Sequence, residues 1–516
     1  MLSRNVKRFA NKKFYFLLIL LLIAIGLRFI YFPGNIYFGF DQARDAYAAL
    51  EILRGDFKIV GPSTSAPGLY HGVLYYYLIA PFYFLGSLNP EFVSGALKIF
   101  NTLGLFLMFY ISEILFNKKI ALLAALLYAI SFEQTQFSIY MGNPTLAVLS
   151  VLLMYTGLAM VIFKKNHWGL ILAVLGLGFS IQFQFALIYL ILPFIGILTI
   201  FRKNFLELPA KIWGLSICFL LFSLSTFILA EIKYGFRTLH TLIVFGGGEK
   251  QLDNILKTYF FSLQKMVHYN LISNLFFQNL TLLSLLLSFI FYLKAYKRQL
   301  TFLGIWFFSI STTVFISGGV ENIENNVPLY YTNIGVTLSL LIFTALLLYI
   351  IFTKSKVFGV LILTIIIFSN LYLVKTLNQM GTISEINVQQ GMLLSDEKKV
   401  LDYMYNESDG QLFAVKGVTM PFFVNTTWSY LFESYGNKKY GYLPIWNGKN
   451  ALGYYGNLKA QETQEGLPDK RFLIVEPTRG VPQYLIGEYL KEENYFTKVI
   501  EEKKIGEFII QKRIKF

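Results

Sequence analysis

The sequence predicts an α-helical polytopic membrane protein with a small α/β domain at its C-terminal end. Of its 516 residues, 55% are hydrophobic and only 15% are charged, whereas about 25% of the residues in soluble domains are charged. Apolar runs of about 20 residues, the length that crosses a hydrocarbon core of about 30 Å, recur up to residue 375. After residue 375, short alternating segments typical of strands replace them.

The first apolar run, from Phe14 to Phe32, follows a basic N-terminal segment. It is too long for the core of a signal peptide and has no small-residue cleavage site, so we expect an uncleaved span with a cytoplasmic N-terminus. Pro33-Gly34 ends this helix, and residues 33–91 form the first external loop. Within the loop, the tyrosine-rich segment 69–86 is long enough to cross the membrane. An interfacial helix there keeps the later basic clusters cytoplasmic, as the positive-inside rule requires.

About ten further spans are expected, which gives about eleven crossings with the first. Basic clusters such as Lys118-Lys119 and Lys164-Lys165 lie between these spans on the predicted cytoplasmic side. Two short spans form a hairpin that turns at Gln182 and Gln184. The predicted spans cover residues 92–116, 120–140, 144–163, 168–182, 185–201, 213–232, 273–293, 300–317, 334–353 and 357–375.

An odd number of crossings places the C-terminal segment outside the cytoplasm. We therefore expect a transmembrane domain of residues 1–375 and an extracytoplasmic α/β domain of residues 376–516. Strands are predicted at residues 411–416, 471–476 and 506–511, and helices at 396–406 and 482–491.

The net charge of +15 does not indicate a nucleic-acid partner. In the first two-thirds of the chain, the lysines and arginines form short clusters between apolar runs instead of one basic face. The single cysteine, Cys218, cannot form an intrachain disulfide. We find no metal-ligand spacing and no Ser-His-Asp motif, so no cofactor is indicated and a divalent metal remains open.

The first external loop carries the main catalytic candidates, Asp41, Arg44 and Asp45. In a helix that opens near Asp41, these residues share one face at positions i, i+3 and i+4. Near lipid the pKa of a carboxylate can rise toward the working pH, so the two aspartates could act as a general base and its partner. In the alternative, Asp41 caps the helix and Asp45 pairs with Arg44 or Arg54.

Four further residues are candidates, each with a structural alternative. His71 could donate to a phosphate or a sugar hydroxyl, or it is an ordinary interfacial histidine. Tyr75 belongs to a run that fits an interfacial belt better than a sugar platform. Glu133 approaches the outer end of a span, where a lone carboxylate is a functional candidate. Asn143 precedes a proline and could instead cap the next helix.

The acidic motif of the first loop, the Gly/Pro turn after it and the segment His71-Gly-Val-Leu-Tyr-Tyr-Tyr-Leu78 resemble a known family. They are similar to the C-type (GT-C) membrane glycosyltransferases that use polyprenyl-phosphate sugars, by pattern the bacterial protein O-mannosyltransferase-like and aminoarabinose-transferase-like enzymes. The resemblance is strongest in residues 1–200. It implies that Asp41 is the base or orients the acceptor, and that the region from Glu133 to Asn143 lies near a second external acidic region.

The sequence also departs from this family pattern. It lacks an Asp-x-Asp in the second region, and it has Gln182 and Gln184 where relatives often carry a lysine. The remaining candidates for binding the donor phosphate are therefore the cations Arg44, Lys58 and Arg237. Asp45 is either a second catalytic group or the partner that holds Arg44.

The resemblance implies an inverting glycosyltransferase of the plasma membrane that acts on its outer face. The donor is a polyprenyl-phosphate sugar, the acceptor is a hydroxyl of a lipid, glycan or protein, and membrane lipids surround the protein. The alternative function is that of a lipid or oligosaccharide transporter, a flippase or a cell-envelope polymerase. A transporter would place ionisable residues near the midplane and show related halves, which we do not find.

Overall fold

The structure is a computed structural model that describes residues 2–64, 68–236, 240–241, 252–311, 330, 333–384, 386, 389–478 and 481–516. Most of the described chain is helical up to residue 377. Arg237, one of the predicted phosphate ligands, lies outside the described residues. The helices before residue 378 are α1 Leu2–Phe29, α2 Phe40–Leu53, α3 Leu74–Leu85, α4 Pro90–Leu115, α5 Lys118–Ile130, α6 Phe132–Ile139, α7 Asn143–Lys164, α8 Gly169–Phe183, α9 Ile191–Ile200, α10 Arg202–Leu206, α11 Ala210–Ser223, α12 Ser225–Lys233, α13 Leu252–Asn270, α14 Leu275–Tyr292, α15 Lys297–Phe307, α16 Thr337–Lys354 and α17 Lys356–Leu377.

Among the described residues, five helices are long and apolar enough to cross a membrane, or up to seven if each of two bent pairs counts as one span. The predicted count of about eleven is not confirmed, because several apolar runs are short or broken. The run predicted at 120–140 bends by 51° between α5 and α6, and the run at 213–232 bends by 55° between α11 and α12. Ser131 causes the first break, since its Oγ accepts from the Gln134 amide and caps α6.

The first external loop folds into two short helices that pack on each other, α2 and α3. With 12 residues, α3 is about 18 Å long and is too short to cross the membrane, in agreement with the interfacial prediction. The predicted tyrosine belt is wrong for Tyr75 and Tyr76, because both side chains are buried. They face α2 instead, and both interact electrostatically with Asp45.

A six-stranded sheet with short helices forms the C-terminal part, which agrees with the predicted α/β composition, although the sequence predicts only three of the strands. Its strand order is β3-β2-β1-β4-β6-β5. Strands β3, β2, β1 and β4 are parallel to one another, and β6 pairs antiparallel with β4 and β5. The elements are α18 Leu394–Glu407, β1 Ala414–Val418, α19 Thr426–Leu431, α20 Asn437–Tyr440, β2 Ile445–Asn447, β3 Ala460–Gln461, β4 Arg471–Val475, α21 Gln483–Asn494, β5 Thr497–Ile505 and β6 Phe508–Lys515.

The C-terminal part packs directly on α2. The Tyr47 hydroxyl donates to Glu433 over 2.9 Å, and the Tyr455 hydroxyl donates to Glu51 over 2.7 Å. The rings of Tyr47 and Tyr455 stack with their centroids 5.4 Å apart. At the start of α2, the Phe40 ring meets the Tyr454 ring at 5.7 Å. Helix α2 is therefore held between α3 and the C-terminal part, which fixes the direction of its charged face.

Candidate functional site

Three charged side chains meet on one face of α2, as the helical spacing predicts. Arg44 Nη1 contacts Asp41 Oδ1 at 2.5 Å, while its Nε and Nη2 contact Asp45 Oδ1 at 2.9 and 2.7 Å. Helix α2 begins at Phe40, and its N-cap is Gly39. The alternative in which Asp41 caps the helix is therefore wrong, and Asp41 lies in the first turn. The predicted pairing of Asp45 with Arg44 is confirmed.

The two aspartates differ strongly in their exposure. The Asp41 side chain is 50% exposed and that of Asp45 only 4%. Burial raises the pKa of Asp45 to about 6, although the adjacent Arg44 guanidinium opposes the shift. Asp45 also takes part in a side-chain hydrogen bond with Tyr76. Asp41 is therefore the carboxylate that a substrate can reach, and Asp45 binds the Arg44 guanidinium on its buried side.

His71 interacts electrostatically with Arg44 and Asp41, and a backbone amide from a distant part of the chain positions its ring. Its Nδ1 accepts from the Phe185 amide at 3.1 Å, and the next amide, that of Gly72, donates to the Gln182 carbonyl over 2.9 Å. Burial and, to a lesser extent, the Arg44 charge lower the pKa of His71 to about 4, while Asp41 opposes the shift. Near neutral pH the ring is therefore uncharged. With Nδ1 accepting, its proton lies on Nε2, which can donate to an anion.

His71 also lines a cavity of about 820 Å³ between the first external loop and α12. Most of the wall is apolar, with Ile59 and Val60 from the loop and Phe227 and Ala230 from α12. The outer face of α12 exposes further apolar side chains, namely Ile228, Leu229 and Ile232. Helix α12 therefore lines the cavity with one face, and its opposite, exposed apolar face is suited to contact lipid.

Gly72 is required by the close approach of the loop to α8. A Cβ atom at this position would lie 2.7 Å from Gln182 Cα, a backbone atom that cannot move aside cheaply. We expect Gly72→Ala to destabilise the fold by about 1–3 kcal/mol, the usual cost of overpacking, and to lower the thermal unfolding midpoint in detergent. Gly214→Ala is the matched control, because no atom lies within 4 Å of that Cβ position. Equal midpoints in the two variants would contradict this packing.

Two predicted substrate ligands lie away from the exposed face of this group. Lys58 pairs with Glu51 at 2.9 Å and with Asp56 at 2.6 Å. Glu51 is ten residues after Asp41 in α2, which is about 15 Å along the axis. The other predicted ligand, Tyr75, is only 1% exposed. Its position beside Asp45 and Arg44 supports their packing and leaves it without access to a ligand.

Glu133 and Asn143 lie at the starts of α6 and α7, and the segment between them contacts α2, since Gln42 Nε2 donates to the Met141 carbonyl at 3.0 Å. Glu133 is buried at the start of α6 and accepts from Asn270 Nδ2 at 2.9 Å. Asn270 in turn accepts from Ser131, so Glu133 belongs to a polar cluster between α6 and α13. Asn143 is the first residue of α7, and Gly142 is the N-cap. The alternative role of Asn143 as a cap is therefore wrong, and its side chain is buried.

Three groups that build this site were not identified from the sequence: the backbone carbonyl of Gln182, the side-chain amide of Gln182 and the backbone amide of Phe185. The backbone of Gln182 and the amide of Phe185 position His71, while Gln182 Nε2 donates to the Ser223 carbonyl at 2.9 Å and to Thr226 Oγ1 at 2.8 Å. Gln182 thus ties the loop to the bend between α11 and α12. In the sequence, only the predicted hairpin turn at Gln182 and Gln184 pointed to this region. Among the described residues, no three His, Cys, Asp or Glu side chains come close enough together to hold a metal.

Comparison with known proteins gives a partial family match and several matches of fold. Residues 70–226 match the family described as dolichyl-phosphate-mannose-protein mannosyltransferase. No curated protein matches the chain. ArnT from Cupriavidus metallidurans, bound to undecaprenyl phosphate, superposes with a TM-score of 0.61 at 10% identity, and the match covers 96% of this chain and 97% of ArnT. The same protein in the apo state gives 0.61 at 12% identity over the same shares.

The archaeal oligosaccharyltransferase AglB from Archaeoglobus fulgidus, in complex with an inhibitory peptide and a dolichol-phosphate, gives a TM-score of 0.50 at 14% identity. The match covers 82% of this chain but only 63% of AglB, so the chain spans less than two-thirds of that protein. The family match over residues 70–226 and the fold shared with ArnT and AglB confirm the predicted resemblance.

Proposed function

We propose that this protein is an inverting glycosyltransferase that moves a sugar from a polyprenyl phosphate to an acceptor hydroxyl at the outer face of the cytoplasmic membrane. In this orientation the N-terminus is cytoplasmic, and residues 376–516 are extracytoplasmic. The observation that carries the proposal is the group of Asp41, Arg44 and His71 beside the apolar cavity under α12. The acceptor is a lipid, glycan or protein.

The cavity supports a lipid-linked donor. Its apolar wall suits a polyprenyl chain, and the exposed apolar face of α12 suits entry from the membrane. Two proteins with this fold were solved with undecaprenyl phosphate and with a dolichol-phosphate. In this protein the phosphate would lie near His71 and Arg44. The neutral His71 can donate one hydrogen bond from Nε2, and Arg44 supplies the positive charge.

The reaction is a single displacement. Asp41 removes the proton of the acceptor hydroxyl while that oxygen bonds to the anomeric carbon, and the bond from this carbon to the phosphate oxygen breaks. The polyprenyl phosphate leaves with the electron pair, and donors aimed at its oxygens stabilise the growing negative charge. Because the oxygen enters opposite the leaving phosphate, the anomeric centre is inverted. Asp45 acts as a positioning residue, since all its contacts with Arg44 hold the guanidinium in place.

The direct test is a transfer assay on the full chain reconstituted in lipid vesicles, with a panel of sugars linked to polyprenyl phosphate and the same sugars linked to nucleotides. The proposal predicts release of polyprenyl phosphate from at least one lipid-linked donor in the presence of a membrane extract that supplies acceptors. Transfer from nucleotide sugars alone would contradict the assignment of the donor.

The pKa of Asp45 predicts a pH dependence. As the pH falls through about 6, Asp45 takes up a proton and its attraction for Arg44 weakens, so we expect the transfer rate to fall with a midpoint near this pH. Asp45→Asn should lower the rate at pH 7.5 and remove this limb from the pH profile. If the transfer rate of Asp45→Asn still falls with the same midpoint, the pH dependence belongs to another titratable group.

The loss of rate at low pH is not expected to reflect unfolding through Asp45. The folded-state pKa lies above the ordinary value of about 3.9, so the folded protein binds this proton more tightly than the unfolded chain. The stability that Asp45 contributes is therefore fully present below about pH 4 and is lost as the pH rises through about 6. Thermal unfolding measured beside the rate separates the two effects.

A further inference from the structure

Two further cavities lie at the other end of α3, between α4 and the C-terminal part. A cavity of about 940 Å³ lies there, lined by the turn from α3 to α4 and by Lys398, Lys438 and Lys439. Beside it lies a mostly apolar groove of about 900 Å³, lined by Phe29 at the end of α1, by Phe32 just after it, and by residues of α3 and α4 that include Glu91. Gly86 and Asn89 line both spaces, so the two are adjacent.

The polar cavity has an excess of positive charge. Lys398 pairs with Glu91, and Lys439 pairs with Asp402 at 2.9 Å. Lys438 donates to the Ser87 carbonyl at 2.5 Å and has no carboxylate partner among the described residues. Three lysines and two carboxylates leave one positive charge. Lys438 and Lys439 are also exposed, so an anion can reach both.

The apolar groove opens where lipid is expected. Helix α4 is a candidate span, and its exposed residues Phe92, Ile99, Leu103 and Phe106 form one face at helical spacing. Phe92 and Ile99 of this face also line the groove. Because α4 starts at Pro90, the groove lies at the end of the span, at the depth where a lipid headgroup meets its acyl chains.

We propose that these two adjacent spaces together bind an anionic membrane lipid, with a phosphate-bearing headgroup at Lys438 and Lys439 and an acyl chain in the groove at Phe32 and Phe92. The charge excess favours an anionic over a zwitterionic headgroup, and the groove favours a lipid over free phosphate. The site is separate from the cavity at His71, since α3 between them is about 18 Å long. The bound lipid would bridge the membrane part and the C-terminal part.

Native mass spectrometry of the full chain can test this proposal with phosphatidylglycerol and phosphatidylcholine as probes. The double variant Lys438→Gln and Lys439→Gln should weaken phosphatidylglycerol binding about fivefold for each lysine, with little effect on phosphatidylcholine. The matched control is Lys491→Gln with Lys498→Gln, which removes the same charge from exposed positions elsewhere in the C-terminal part.

Gly95→Leu tests the groove independently. A Cβ atom at Gly95 would meet only the Phe32 ring, at 3.8 Å, so the longer side chain can enter the groove without a backbone clash. Leucine is also a better helix former than glycine, so we expect this variant to fold and to bind phosphatidylglycerol less tightly. Added inorganic phosphate should not displace the lipid.

Three outcomes would overturn the proposal. One is equal affinity of the unmodified chain for the two lipids, and another is an equal loss of phosphatidylglycerol binding in the two lysine pairs. The third is displacement of the lipid by inorganic phosphate together with unchanged binding in Gly95→Leu, which would indicate an anion site without a lipid tail. None of these measurements depends on sugar transfer, so the second site and the proposed reaction can fail separately.

Discussion

Asp41→Asn should lower the rate of sugar transfer by about 10²–10⁴-fold, the range expected when a positioned general base is lost. Asparagine keeps the size of the side chain and can still accept from Arg44, so the fold should be retained. Asp41 is half exposed, which also argues against a large effect on stability. The measurement is the initial rate in vesicles at saturating donor, with thermal unfolding as the check on folding.

Asp56→Asn is the matched control for this substitution. Asp56 lies just after α2, its side chain is 62% exposed, and it pairs with Lys58. We expect its transfer rate to stay within about twofold of the unmodified chain, since exposed ion pairs contribute little. A large loss in both variants would show that the charge of the loop matters more than a base at Asp41.

Arg44→Lys should lower the rate by about 10²-fold, although the charge is kept. Three guanidinium nitrogens of Arg44 contact Asp41 and Asp45 at the same time, and a lysine ammonium cannot reproduce this fork. The loss should appear mainly in kcat, because the phosphate gains charge in the transition state. Arg54→Lys, at the exposed C-cap of the same helix, is the control and should leave the rate unchanged. A full rate in Arg44→Lys would remove Arg44 from the phosphate site.

The length of the apolar runs was sufficient to place several of the long helices. Residues 92–116 and 144–163 were predicted as spans, and the structure has α4 at Pro90–Leu115 and α7 at Asn143–Lys164. The break at Ser131 could not be predicted, because the polar residues after it are paired with distant ones. Gln136, for example, donates to Asn378 Oδ1 at 2.7 Å. Such contacts let an apolar run bend without leaving buried polar groups unpaired.

The site was predictable where its geometry is local. The spacing of Asp41, Arg44 and Asp45 placed them on one face, and the structure shows their contacts. The partner of His71 is 114 residues away and is a backbone amide, so no residue type marked it. The packing of Tyr455 on α2 likewise joins residues about 400 positions apart. Lys58, a predicted phosphate ligand, pairs with two acidic residues, and its pairing with Glu51 near the far end of α2 becomes apparent only in three dimensions.

The anomeric configuration of the product tests directly whether Asp41 acts as a base in a single displacement on a polyprenyl-phosphate sugar. Proton NMR of the product from a donor of known configuration should therefore show inversion at the anomeric carbon. Retention would contradict the account, because it requires two displacements and would make a carboxylate such as Asp41 a nucleophile.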